Sequence, residues 1–223
     1  MNKFRPIVII MLLILGGILG EAFRVQGAKP MAETSINQSA TLLELLVELG
    51  KTYDHFFTIE EAWKDREPMN AMEAQRVQMS SGKKTLQQEL EQLRQTLPNF
   101  SYEIDKANPR IIHILDERLT HQKGYGLESV VNHIDFTGLP HDLVAEIGNQ
   151  GILISPQTSM LLNEFRDYSS VLQVKGESLK VRDALTNFIS LKEREVKILW
   201  IARTKLAQGE MTRIYYLPPG RKH

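Results

Sequence analysis

Residues 130–154 read VVNHIDFTGLPHDLVAEIGNQGILI, and this stretch predicts a strand, a short helix and a second strand in succession. Apolar and polar residues alternate over 130–136, as they do in a half-buried strand. The same residues also fit a helical spacing. The segment TGLP at 137–140 interrupts that spacing at once, so we favour the strand.

The chain downstream continues in the same manner. A helical spacing begins at Leu139 and ends at Gly148, and the apolar run 152–154 predicts a strand. Residues 171–174 predict another strand, which we expect to end before Gly176. Further elements are a helix over 179–189 and a hairpin of strands 196–204 and 211–217, with its turn at 208–210.

The first half of the chain has a similar order of elements. Leucines at helical spacing follow Thr41 and predict a helix that ends at Gly50 as its C-cap. A second leucine stripe begins at Leu86 and stops at Pro98. The predicted strands of this half are 55–59, 76–79, 100–104 and 110–115, with a weak candidate at 35–39 and a loop at 64–70.

The two halves superpose at an offset of about 95 residues, which is typical of a duplicated domain and too long for a solenoid. We therefore predict the α+β class, with two tandem βαββαββ-type domains in which helices cover one face of a sheet. Their expected bounds are 39–118 and 127–217, joined by a linker at 119–126.

Both halves resemble the short N-terminal domain of secretins and TonB-dependent proteins, and also the C-terminal domains of FecR-like envelope proteins. The resemblance implies small α/β modules that dock onto other envelope proteins through sheet edges and helix faces. It is carried in the second half by residues 134–154 and 171–188, and in the first by residues 42–46, 85–93, 102–104 and 111–114.

The N-terminus has the layout of a secretory signal. Lys3 and Arg5 precede an apolar run of about 13 residues, which is shorter than the ~20 residues of a membrane-spanning helix. Small residues that suit a signal peptidase follow, so we predict a cleavable signal peptide at 1–28 and a linker at 29–38. An uncleaved N-terminal anchor is the alternative. Residues 218–223 form a basic tail.

Composition limits the function further. The chain has no cysteine, so neither a disulfide nor a thiol nucleophile is available. Its 27 basic and 27 acidic residues balance, and removal of the leader leaves a net charge of −2. Because no basic excess remains to hold a polyanion, nucleic acid is not an expected partner.

Candidate metal ligands are confined to one short segment. His133, Asp135, His141 and Asp142 lie within ten residues and offer nitrogen and oxygen donors that suit zinc. The alternative is a set of polar side chains around a turn, with Asp142 favoured by the dipole of a helix start. We predict no catalytic residue and no cofactor, and expect His113 to be a hydrogen-bonded, half-buried side chain within an apolar strand. We expect the paired acids Glu60 and Glu61 to lie on a solvated face.

The expected function follows from these features. We predict an exported, non-catalytic interaction or scaffold module of the bacterial cell envelope, periplasmic or secreted, whose partner is another envelope protein. One alternative is a metal-dependent hydrolase that uses His133, Asp135 and His141. The other is an envelope scaffold tethered to the membrane by an uncleaved leader.

Overall fold

A computed structural model describes residues 40–63, 72–78, 82–156, 171–192, 194–206 and 210–217. These residues belong to one compact unit, residues 37–223. The predicted leader, the weak strand at 35–39, the loop at 64–70 and the basic tail lie outside the described residues. Among the described helices, none is long and apolar enough to cross a membrane.

The described chain is a mixture of helices and strands with a core formed mostly by sheet, which is compatible with the predicted α+β class. The helices are α1 (Leu42–Tyr53), α2 (Leu86–Thr96), α3 (Glu117–Thr120), α4 (Pro140–Asn149) and α5 (Val181–Thr186). The strands are β1 (Ala40–Thr41), β2 (Phe56–Trp63), β3 (Arg76–Val77), β4 (Phe100–Ile104), β5 (Ile111–Asp116), β6 (Val130–Gly138), β7 (Ile154–Pro156), β8 (Leu172–Lys180), β9 (Ile198–Lys205) and β10 (Thr212–Tyr216).

A six-stranded sheet forms the centre of the described chain, in the order β4-β5-β2-β9-β10-β7. Strand β2 is parallel to both β5 and β9, whereas β4 and β10 run antiparallel to their inner neighbours. Strands β6 and β8 form a separate antiparallel ribbon, and β1 pairs with β3. Residues of β5 are buried throughout, as expected for a strand that is covered on both faces.

Each face of the central sheet packs against its own apolar layer. On one face, Phe57, Ile59 and Ile112 meet the leucines of α1 and α2. On the other face, Phe56 and Trp200 belong to a cluster with residues of α4, α5 and the β6-β8 ribbon. The sheet is therefore covered on both sides, which differs from the predicted two-layer arrangement.

The two predicted halves contribute strands to the same sheet. Strand β2 of the first half pairs with β9 of the second, from Phe57 and Ile198 to Trp63 and Lys205. The predicted linker at 119–126 carries buried Leu119 and Tyr125, which belong to the shared core. Two tandem domains are accordingly not confirmed, because backbone hydrogen bonds join the halves.

Helix α1 begins where the sequence predicts and ends later. The Thr41 hydroxyl accepts a hydrogen bond from the backbone N–H of Glu44, whose side chain accepts one in return from the N–H of Thr41. Gly50 lies inside the helix, which ends at Asp54 in a left-handed conformation (φ 54°). A Cβ on Gly50 would lie 2.6 Å from Lys197 Cβ, so the glycine permits close packing and is not a C-cap.

The second departure from the sequence-based prediction concerns β8. This strand continues through Gly176 to Lys180, and Gly176 pairs with Ile134 of β6. The predicted helix at 179–189 is consequently reduced to Val181–Thr186. Gly176 does not end the strand, because the residues of β8 before and after it pair with β6.

We predict that central and edge positions of the sheet differ sharply in their tolerance of truncation. Ile59→Ala removes a side chain with 0% exposure in β2 and should lower the free energy of unfolding by about 2–5 kcal/mol. Ile104→Ala, the same change at a position with 53% exposure in β4, should cost at most about 0.5 kcal/mol. Urea unfolding followed by circular dichroism checks both, and equal losses would contradict the described packing.

Candidate functional site

A polar cluster lies between the central sheet and α5, inside an otherwise apolar interface. Strand β2 contributes Thr58 and Glu60, and β5 contributes His113. Arg182, in the first turn of α5, approaches them from the opposing layer. All four side chains are buried, so each polar group needs a partner within the protein.

Glu60 and Arg182 form a two-pronged ion pair across this interface. Arg182 donates from Nε to Glu60 Oε1 at 2.5 Å and from Nη2 to Oε2 at 2.9 Å. Tyr125 donates its hydroxyl to the same Oε2 at 2.9 Å. Burial raises the pKa of Tyr125, and the neighbouring Glu60 carboxylate raises it further, which keeps the phenol protonated as a donor.

Glu128 extends the ion pair toward solvent. Its Oε1 lies 2.6 Å from Arg182 Nη2, and its Oε2 accepts a hydrogen bond from Lys180 Nζ at 2.8 Å. Burial raises the pKa of Glu128, but the hydrogen bonds from Lys180 and Arg182 outweigh burial and leave the pKa below 4.5. Two carboxylates thus balance Arg182.

A second chain of hydrogen bonds runs through His113. Its Nδ1 lies 2.8 Å from the Thr58 hydroxyl, and its Nε2 lies 3.1 Å from Asp105 Oδ2. Because a carboxylate only accepts hydrogen bonds, Nε2 is the protonated ring nitrogen and donates a hydrogen bond to Asp105. The other oxygen of Asp105 accepts from the backbone N–H groups of Ala107 and Asn108 and fixes the turn between β4 and β5. The prediction that His113 is hydrogen-bonded is confirmed, but the side chain is fully buried and not half-buried.

Thr58, His113 and Asp105 are hydrogen-bonded in the order hydroxyl, imidazole and carboxylate. A catalytic triad has the same order of nucleophile, general base and orienting acid. Thr58 has 0% exposure, and it is not among the residues that line the neighbouring cavity. A substrate in that cavity would meet the imidazole and the carboxylate without reaching the hydroxyl. The arrangement therefore favours a structural role for Thr58.

The neighbouring cavity has a volume of about 170 Å³ and lies beside edge strand β4. Glu103, Asp105 and His113 line its sheet side, and Arg182 and Asp183 line the opposite side. Ligand pockets for drug-sized molecules measure roughly 300–1,000 Å³, so this cavity suits a group no larger than one side chain or small polar molecule.

Another pair of carboxylates is buried on the α1/α2 side of the sheet. Arg203 Nε donates to Glu61 Oε1 at 2.7 Å. Burial raises the pKa of Glu61, and the pairing with Arg203 opposes this shift. Asp116 accepts from the N–H of Ala62 and from the side chain of Arg118. These contacts tie β2, β5 and β9 together.

The candidate metal ligands of the alternative interpretation, His133, Asp135, His141 and Asp142, contact different partners. His133 lies opposite Glu177 at 3.7 Å, and Asp135 accepts from Lys175 at 2.6 Å across the β6-β8 ribbon. His141 contacts its neighbour Asp142 at 3.1 Å in the first turn of α4. Within the described ranges, no three histidine, aspartate or glutamate side chains form a group that could hold a metal ion.

No family model, curated protein or solved structure matches this chain. The polar cluster and the cavity beside β4 are accordingly interpreted from their own geometry. Sequence reasoning missed Arg182 and Asp105, and the expectation that the paired acids Glu60 and Glu61 lie on a solvated face is wrong, because both side chains are buried. The available signal was the run FFTIEEAW at 56–63, which carries two adjacent acids within a strand that is otherwise apolar and aromatic.

A double-mutant cycle tests the interlayer ion pair. Glu60→Leu leaves Arg182 buried without its main partner and should lower the free energy of unfolding by about 3–5 kcal/mol. In the double variant Glu60→Leu/Arg182→Met, the free energy of unfolding should fall by less than in Glu60→Leu alone, because the buried Arg182 charge is removed as well. Urea unfolding measures the parent, the single variants Glu60→Leu and Arg182→Met, and the double variant, and additive losses would contradict a direct interaction.

The pH dependence of Glu128→Gln tests the outer part of the same network. The lowered pKa of Glu128 means that its ion pairs stabilise the fold above its unfolded pKa near 4.5 and are lost as the pH falls through the lower folded value. Glu128→Gln should therefore lower the free energy of unfolding by up to about 1 kcal/mol at pH 7. The difference in this free energy between variant and parent should disappear at acidic pH. Urea titrations at several pH values measure this difference, and a constant difference would contradict the pairing.

Proposed function

We propose that this chain is an exported, non-catalytic protein-interaction module of the bacterial cell envelope, which binds an extended segment of another envelope protein by adding it to edge strand β4. The observation that carries this proposal is the open outer side of β4. Strand β4 lies at one edge of the central sheet and pairs with β5, and no described strand pairs with its other side.

The hydrogen-bond register defines which backbone groups point outward. The N–H of Glu117 donates to Asn99 O, and the N–H of Asp105 donates to Ile111 O. In an antiparallel pair, hydrogen-bonded positions alternate with outward ones. Tyr102 and Ile104 are therefore outward positions, and their backbone groups are aligned to pair with an added strand.

The composition of β4 also favours pairing. Many edge strands carry a Lys, a Pro or a bulge, which prevents them from pairing with a strand of another chain. Strand β4 reads FSYEI, and its register with β5 runs without interruption from Phe100 to Ile104. Ile104 is 53% exposed and offers an apolar contact beside the outward backbone. A strand of this kind is suited to β-augmentation.

The interior chemistry supports a binding role over a catalytic one. Glu60 accepts hydrogen bonds from Arg182 and Tyr125, and Thr58 is buried and hydrogen-bonded to His113. The resemblance to short N-terminal domains of secretins, and the leader-like residues 1–28, support the envelope location and the proposal that the two halves are duplicated modules. A scaffold tethered by an uncleaved leader is a variant of this proposal, and the mass of the mature chain distinguishes it.

The metal-dependent hydrolase has less support. It required His133, Asp135 and His141 to share one site, whereas Asp135 pairs with Lys175 and His141 with Asp142.

Capture from native envelope extract tests strand addition, with the full chain as bait and mild crosslinking. Ile104→Pro removes one outward N–H and should abolish capture of the specific partner, because proline is tolerated at a strand edge but cannot donate a hydrogen bond. Ile104→Ala is the matched control, since it keeps the N–H and should retain capture. Equal capture by the proline variant and the parent, or no partner for the parent, would contradict the proposal.

A further inference from the structure

The cavity and the outer side of β4 are parts of one surface. Glu103 of β4 lies directly opposite His113 of β5, and residues opposite each other in a sheet share a face. Both line the cavity, which therefore lies on the Glu103 face of the sheet. A strand added to β4 would place one of its side chains beside Glu103 on that same face.

Some charged side chains around the cavity are paired within the fold, and others are not. Arg182 and Lys180 are paired with Glu60 and Glu128, and Asp105 is held by His113 and two backbone N–H groups. These groups are thus committed to contacts within the fold.

Two carboxylates at the cavity remain uncommitted. Within the described part of the chain, the side chains of Glu103 and Asp183 make no direct hydrogen bond or ion pair, and both line the cavity. The charge of Asp183 acts at longer range on Lys180, whose pKa it helps to raise. Lys106 is exposed at the neighbouring turn and is the single uncommitted base among the described lining residues. The uncommitted charge is therefore acidic on balance, which favours a cation in the cavity.

We infer that the cavity is a specificity pocket for one basic side chain, lysine or arginine, of the extended peptide that pairs with β4. This inference rests on the proposed function. The volume of about 170 Å³ suits a single side chain, and Glu103 and Asp183 approach it from opposite layers. The backbone of β4 supplies affinity, and the two carboxylates select the residue at one position of the peptide.

A random library of ten-residue peptides displayed on phage tests the inference with the full chain as target. Each enriched clone is measured again on Ile104→Pro, which identifies the clones that bind by strand addition. We expect those clones to carry lysine or arginine at one fixed position of an alternating apolar pattern. Enrichment of acidic or uncharged residues at that position, in clones that Ile104→Pro abolishes, would overturn the pocket assignment and leave strand addition standing.

Synthetic peptides from the enriched clones then test the carboxylates by fluorescence anisotropy. Glu103→Gln/Asp183→Asn should weaken binding by about tenfold and remove the preference for lysine over norleucine. Glu146→Gln/Glu195→Gln carries the same change in net charge away from the cavity and should leave both unchanged. Equal effects of the two double variants would overturn the inference. If no enriched clone depends on Ile104, strand addition itself fails, and the pocket assignment fails with it.

Discussion

The buried ion pair between Glu60 and Arg182 is the contact on which the arrangement of the layers depends. Glu60 belongs to a strand in the middle of the central sheet, and Arg182 to the first turn of α5 in the layer above it. Taking either charge out of water alone costs several kcal/mol, so each group is buried here only together with its partner. Tyr125 and Glu128 complete the hydrogen bonds of the pair.

The same constraint explains why the second half of the chain folds against the first. Strand β9 pairs with β2, and the ribbon β6-β8 leads directly into α5, which carries Arg182. Backbone hydrogen bonds in the sheet and the ion pair across the layers thus connect the halves at two different levels. Among the described residues, the outer side of β4 and the small cavity beside Glu103 lie at the edge of this sheet.

Much of the local structure could be predicted from the sequence, because it depends on neighbours in the chain. The leucine spacing and the capping threonines Thr41 and Thr85 define α1 and α2, and alternation defines β6 and the final hairpin. Trp200 is fully buried, as a core position should be. Glycine was less informative, because neither Gly50 nor Gly176 ends its element.

The candidate site was far less predictable. Glu60 and Arg182 are 122 residues apart, and Asp105 reaches His113 only through the turn after β4. No local pattern marks such pairs, since they depend on sheet order and on the parallel crossover from β2 to β5. The histidines and aspartates at 133–142 had the opposite property: they are close in sequence, but the ribbon and α4 direct them to separate partners. Proximity in sequence was a poor guide to proximity in space.

Native-state hydrogen exchange of the full chain, followed by mass spectrometry at increasing urea, tests the central claim that one sheet unites the two halves. We predict that amides of β2, β5 and β9 exchange with the same free energy, that of global unfolding, because they share one hydrogen-bonded ladder. Exchange of β9 and β10 at a much lower free energy than β2 and β5 would show that the second half opens by itself, and would contradict the account.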